Sequence, residues 1–149
     1  MLSSTHHQNS IQIVVPFPPG GIDLILQLFI NGLKERLKQE VTFINRPGGT
    51  GAVGSLEVAK ASPDGNTLLF ASQGPLVYQS QLNSVGYSAL NSFVPVCRVT
   101  CTPSVLMASG KSGIQNVNDV VTACRTSPLS ISYSTPGAGG LPHIGMAAF

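Results

Sequence analysis

The stretch IQIVVPFPPGGID, residues Ile11–Asp23, decides the fold. Ile11–Val15 is β-branched and apolar apart from Gln12, which predicts a strand. Leu24–Lys38 follows, with apolar residues at 24, 25, 28, 29, 33 and 37, the spacing of a helix with one buried side. Between them, Pro18 and Pro19 stiffen the turn and Gly20 and Gly21 leave its backbone bare. Asp23 stands where a helix N-cap or first-turn acid belongs. Bare N–H groups at the positive end of a helix dipole favour a small anion. The stretch therefore predicts both a strand-to-helix unit and a ligand site at its turn.

The same unit recurs. Val41–Ile44 is a second strand, Asn45–Gly51 a glycine-rich loop, and Ala52–Ala61 a short helix closed by the turn Ser62–Gly65. Thr67–Ala71 is a third strand, apolar as buried parallel strands tend to be. Three such steps predict a parallel sheet with right-handed crossovers. Beyond Ser72–Pro75, a short helix is expected over Leu76–Leu82, then a polar, turn-rich stretch to Ser92. Phe93–Thr100 should be extended, Ser104–Ala108 a strand, Val117–Thr126 a helix capped by Asn116 or Ser112, and Ile131–Tyr133 a last strand. The loop Ser134–His143 then leads into a helix that runs to Phe149, so the second α/β unit is expected to be incomplete.

Composition excludes several classes. The chain has 149 residues, 9% charged, with a net charge of +2, which leaves no nucleic-acid footprint. Lys34, Arg36 and Lys38 share a helix with Glu35, so a solvated face accounts for them. No apolar run reaches the ~18 residues of a membrane span. Residues 1–10 are polar, a frayed tail holding His6 and His7, and lack the pattern of a secretory leader. Cys97, Cys101 and Cys124 show no CxxC spacing, so no metal is expected. Core packing is expected for Cys97 and Cys101, with a disulfide as the alternative in an oxidising compartment.

Catalysis has no constellation either. No G-x-S-x-G elbow occurs, and a lone His143 near a helix start more often orients a loop than acts as a base. Gly49, Gly51 and Gly54 form a G-x-G-x-x-G after a strand, yet Asp64, the acid at roughly the right distance, lies inside a turn. No cofactor is called for. What remains is three glycine-rich loops, Pro16–Asp23, Asn45–Gly51 and Ser134–His143, at the carboxyl ends of strands, where open α/β sheets gather ligands. Their amides, with the hydroxyls of Ser72, Ser134 and Thr135, suit a carboxylate or phosphate.

In order and spacing these segments resemble the tripartite tricarboxylate transporter substrate-binding proteins, the Bug-type solute receptors. The likeness rests on Ile13–Gly21 with Asp23, on Asn45–Gly48 with Gly51 and Gly54, on Ala59–Gly65 with Thr67–Leu69, on Phe93–Val96, and on Tyr133–His143. It implies a periplasmic-binding-protein-like (type II) two-lobe α/β fold, here incomplete, with a mostly parallel sheet and flanking helices. The first lobe would cover residues 11–99 and the second would start at 100–149, with the crossover near Val99–Pro103. It further implies a periplasmic receptor, not an enzyme, that captures a di- or tricarboxylate or related small acid for membrane transporter subunits. Carried over residue by residue, the ligand loops are Pro18, Pro19, Gly20, Gly21 and Asp23; Ser72 and Gln73; and Ser134, Thr135, Gly137, Ala138, Gly139 and His143. One departure stands out: a single residue, Ile22, separates the glycine pair from Asp23 where such receptors have two, which turns the helix start by about 100°. A non-binding remnant of such a receptor and a nucleotide- or phosphate-binding enzyme domain are the alternative readings.

Overall fold

β1 (Ile11–Val15) is the middle strand of a three-stranded parallel sheet of order β2-β1-β3. The computed structural model describes residues 10–101, 103–135 and 137–149; the expected tail with His6 and His7 lies outside them. β2 (Val41–Asn45) pairs along the whole of β1, Ile11 opposite Val41 and Val15 opposite Asn45. β3 (Thr67–Leu69) pairs on the other edge, with Gln12 opposite Thr67 and Val14 opposite Leu69. A strand paired on both sides and covered on both faces must be apolar throughout, which is why Ile13, Val14 and Val15 are all buried.

Parallel neighbours need a crossover, and α1 (Gly21–Leu37) supplies the first. It lays Leu26 and Ile30 on the face that carries Ile13, Val15 and Val41, and these five residues form the buried core. Ile22, Phe29 and Leu33 pack at its margin, so the buried stripe runs 22, 26, 29/30, 33. The helix begins three residues earlier than expected, and the predicted apolar side is corrected as well: Leu24 and Leu28 are 72% and 78% exposed. Apolar residues lie on two sides of this helix, and only tertiary contact with the strand selects between them.

The second crossover, a 3₁₀ turn (Gly49–Gly51) running into α2 (Ala52–Ala59), covers the opposite face. There Gly54 fits against the chain leaving β1: a Cβ would stand 2.8 Å from the Arg46 carbonyl oxygen and 3.0 Å from Pro16 Cα. Ser55 is buried beside it, its hydroxyl donating to the Gly51 carbonyl at 2.8 Å. Beyond β3, a π-helical turn (Gly74–Gln79) runs into a last α-turn (Ser80–Leu82), together α3. The Tyr87 hydroxyl pins this element, donating to the Pro75 carbonyl at 2.6 Å, and the Tyr87 ring meets Phe93 edge-on.

α4 (Val117–Thr126) has the expected limits and cap: the Asn116 side chain accepts from the Asp119 N–H, and the Asp119 carboxylate accepts from the Asn116 N–H. α5 (Leu141–Ala148), with Gly140 as its N-cap, starts ahead of His143. The strands expected over Ser104–Ala108 and Ile131–Tyr133 are a correction: neither segment is paired, and among the described residues the one sheet is β2-β1-β3. Extended backbone becomes a strand only beside a hydrogen-bonding partner. Two cysteines are corrected too, since Cys97 and Cys101 are exposed rather than packed in a core, and all three cysteines are free. Cys97 and Cys101 lie outside the sheet, in the segment that leads toward Ser104.

Two glycines in helices should respond oppositely to alanine. Gly54→Ala forces backbone apart and should lower stability by about 1–3 kcal/mol. Gly32→Ala, in α1 with open space around it, should raise stability by roughly 0.5–1 kcal/mol. Urea denaturation of the two variants against the parent chain checks both signs.

Candidate functional site

The strand order places the site. From β1 the chain moves to one side through α1, returns past β1 through α2, and enters β3 on the other side. The loops leaving β1 and β3 therefore diverge to opposite faces, opening a crevice beyond the carboxyl ends of these two strands. A cleft of about 1000 Å³ lies there. Pro16, Phe17 and Pro18 line it from the first loop, Phe70–Gly74 from the third strand's exit, Gly48, Thr50 and Gly51 from the second loop. Gly137 and Gly140 close it from the 134–143 loop, and Cys97–Thr100 with Pro103 and Ser104 from the crossover segment.

Of the candidate residues, Pro18, Ser72, Gln73 and Gly137 thus come together on one cleft. Pro19, Gly20, Gly21, Asp23, Ser134, Thr135, Ala138, Gly139 and His143 do not line it. Several of them hold the loops in shape. The Asp23 carboxylate accepts from the Gly20 N–H at 2.9 Å through one oxygen and from the Asn45 side-chain amide at 3.1 Å through the other. Asn45 also donates to the Phe17 carbonyl at 3.1 Å. One amide at the end of β2 thereby ties the β1 exit to the start of α1. The Gly20 N–H is spent inside the loop, whereas Gly21 and Ile22 head a 17-residue helix whose first N–H groups have no partner within it.

The loop 134–143 is built in a similar way. The Gly139 N–H donates to His143 Nδ1 at 3.2 Å, so His143 orients the loop. The Ala138 carbonyl accepts from Thr50 Oγ1 at 3.2 Å and from Gln79 Nε2 at 3.4 Å, binding this loop to the first α/β unit. Gly139 is buried at φ 72°, with Gln79 so close that a Cβ would lie 2.5 Å from its amide nitrogen. Thr50 holds φ 52°, a left-handed conformation that costs a β-branched residue roughly 1–3 kcal/mol. The Thr135 hydroxyl donates to the Gly137 carbonyl at 3.4 Å, and Ser72 Oγ accepts from the Gly74 N–H at 3.4 Å.

Sequence reasoning passed over Asn45, Thr50, Gln79 and Arg98 as site residues. Asn45 and Thr50 lay within quoted motifs, but their contacts depend on residues 17, 23 and 138. Arg98 is the one charged residue among the described residues that line the cleft. No cluster of three or more metal-ligating side chains occurs among the described residues.

The nucleotide fingerprint has another explanation. Gly51, at φ 92°, lies where a Cβ would be 3.0 Å from Pro75, and Gly54 serves close packing. Asp64 precedes β3 and accepts from the Asn66 N–H at 2.9 Å, a bond that holds its carboxyl below the usual range. It is an acid of a turn, far in the fold from a strand's carboxyl end.

A family model described as the tripartite tricarboxylate transporter family receptor matches residues 25–149. The chain belongs to this receptor family. It is 36% identical over 135 residues to the UPF0065 protein in the tcbD-tcbE intergenic region of Pseudomonas sp. strain P51, a match spanning 90% of this chain and 40% of that one. To protein BugT of Bordetella pertussis it is 32% identical, over 95% of this chain and 44% of the relative. Among solved structures, Rpa4515 of R. palustris with adipate superposes with a TM-score of 0.78 at 26% identity, covering 88% of this chain and 44% of that one. MatC from Rhodopseudomonas palustris with bound malate gives 0.55 at 29%, covering 58% and 30%. The receptor chain described here thus spans less than half the length of these relatives. Its fold is that of the periplasmic binding proteins, and its family is one of transporter receptors, not enzymes.

Two measurements probe this geometry. Asn45→Ala leaves the Phe17 carbonyl and one Asp23 oxygen without their partner and should cost about 1–3 kcal/mol, read by urea denaturation. Tyr87 is raised above 10.0 by burial, so its contribution is full below pH 10 and lost as pH rises through the folded value. Tyr87→Phe should lose about 0.5–1.5 kcal/mol at neutral pH and show a shallower fall in melting temperature above pH 10 than the parent chain.

Proposed function

We propose that this chain forms a ligand-receiving cleft that captures a small carboxylate for membrane subunits of a tripartite tricarboxylate-type transporter. The observation that carries this reading is the meeting of Pro18, Ser72, Gln73 and Gly137 at the switch-point cleft of a receptor-family chain. Two structural relatives hold dicarboxylic acids, adipate and malate, which favours an acid as the cargo. The chemistry of the cleft agrees. Hydroxyls of Ser72, Thr100 and Ser104 border it and can donate to carboxylate oxygens. The N–H groups of Gly21 and Ile22 add the positive end of α1 nearby. Their weak, spread polarity suits an anion that must also be released.

In this reading residues 11–99 form the first lobe and 100–149 begin the second, with the crossover beside the cleft near Val99–Pro103. Asp23, Asn45 and His143 position the ligand loops, while Ser134, Thr135, Ala138 and Gly139 shape the second of them. The receptor would work in the periplasm, as its relatives do. No helix among the described residues is long and apolar enough to cross a membrane.

Thermal denaturation against mono-, di- and tricarboxylates tests the proposal. At 100 times Kd an acid should stabilise the chain by about 2.7 kcal/mol, and NAD or ATP should give no shift. A folded chain whose melting temperature is indifferent to every acid would rule the proposal out.

A further inference from the structure

The peptide between Ala138 and Gly139 is gripped at both ends. Its carbonyl accepts from Thr50 Oγ1 at 3.2 Å and from Gln79 Nε2 at 3.4 Å. Its N–H donates to His143 Nδ1 at 3.2 Å, in the first turn of α5. Bonds at opposite ends of one peptide polarise it and strengthen each other. Of the three side chains, Gln79 is the buried one, 6% exposed. A carbonyl oxygen can only accept, so the end of the Gln79 amide that meets Ala138 is its NH2 group. The other end, Oε1, accepts at 2.8 Å from the side chain of Asn83, the residue that ends α3. Both ends of the amide are satisfied, as a buried polar side chain requires. Gly139 rests on the same amide: a Cβ there would stand 2.5 Å from Gln79 Nε2 and 3.4 Å from Leu82 Cδ1. Gln79 and Leu82 form a seat shaped for glycine.

This seat lies outside the lining of the cleft, yet it joins two of the cleft's walls. Gly137 and Gly140, on either side of the seated peptide, line one of them. The Gly140 N–H donates to the Gly137 carbonyl at 3.4 Å, which ties that turn into a unit. Gly74, Leu76 and Val77 line another wall, and they belong to the π-helical turn that ends on Gln79. Such turns are rare and gather at functional sites. One helical element thus supplies a wall and, through Gln79, holds the loop that carries the other.

We propose that Gln79 is a positioning residue for ligand capture, fixing the Gly137–Gly140 wall against the α3 wall so that the cleft keeps its binding shape. This rests on the carboxylate-receptor reading and adds to it a buried side chain that acts from outside the lining.

Isothermal titration of the whole chain with adipate and malate, beside urea denaturation, tests the assignment. Gln79→Met keeps the bulk and removes both hydrogen bonds, and should weaken the tighter-binding acid about tenfold. Gly139→Ala should weaken it about tenfold in the parent chain, but less than about twofold where Gln79→Ala has already emptied the seat. The left-handed strain at position 139 is common to both backgrounds, so the difference between them reports the contact with Gln79. Unchanged affinity in Gln79→Met, or an equal penalty for Gly139→Ala in both backgrounds, would overturn this inference and leave the receptor reading standing. A folded parent chain that binds neither acid would overturn the capture role together with that reading. The same cycle read in urea needs no ligand, and additive losses there would overturn the seat itself.

Discussion

Hydrogen bonding of β1 on both edges is the constraint from which the rest follows. A parallel strand cannot reach its neighbour through a tight turn, so each pairing demands a crossover. Right-handed crossovers in opposite directions, from β1 out to β2 and from β2 back past β1 to β3, put α1 and α2 on opposite faces. Ile13 and Val15 then meet Leu26 and Ile30, while Pro16 meets Gly54. The loops at the carboxyl ends of β1 and β3 are pulled apart by the same geometry. The cleft is therefore a by-product of strand order, present before any side chain is chosen to line it.

What the loops add is rigidity. Glycine-rich turns at strand ends invite the view that their amides wait for an anion, yet the Gly20 and Gly139 N–H groups already bond to Asp23 and His143. These glycines answer to shape: Gly51, Gly54 and Gly139 each stand where a Cβ would strike a neighbour. Thr50 goes further, keeping a left-handed backbone while its hydroxyl reaches the Ala138 carbonyl 88 residues away. Such a position persists only when surrounding contacts over-determine it. Loops fixed in this way present their remaining donors at little entropic cost to binding.

Much of this was legible in the sequence because the information was local. Ile11–Val15, the β2 loop and the Asn116 cap are each set by residues within a few positions, and each fell where periodicity and turn chemistry put it. The family was legible for a related reason, since motifs read in register are themselves local. The buried side of α1 was not. Leu24, Ile25 and Leu28 are as apolar as Leu26 and Ile30, and the strand beneath decides which side is covered. Thr50 and Gln79 could not be named in advance, because their shared partner, the Ala138 carbonyl, lies tens of residues off.

The failure of the later strand predictions has a physical cause of its own. Ser104–Ala108 and Ile131–Tyr133 have strand-like composition, and a lone strand gains neither a ladder of hydrogen bonds nor a covered face. Val94, Val96 and Met107 are accordingly 81% or more exposed. Sheet formation beyond β3 requires neighbours that the described residues do not provide, and relatives more than twice as long carry chain outside the matched region. The first unit differs because β1, α1, β2, α2 and β3 close upon one another within 60 residues. Its five buried core residues all lie within that segment, and the cleft stands on the edge of that core. The cleft is thus anchored to the three-stranded sheet, with the crossover residues, Arg98 among them, lining its other side.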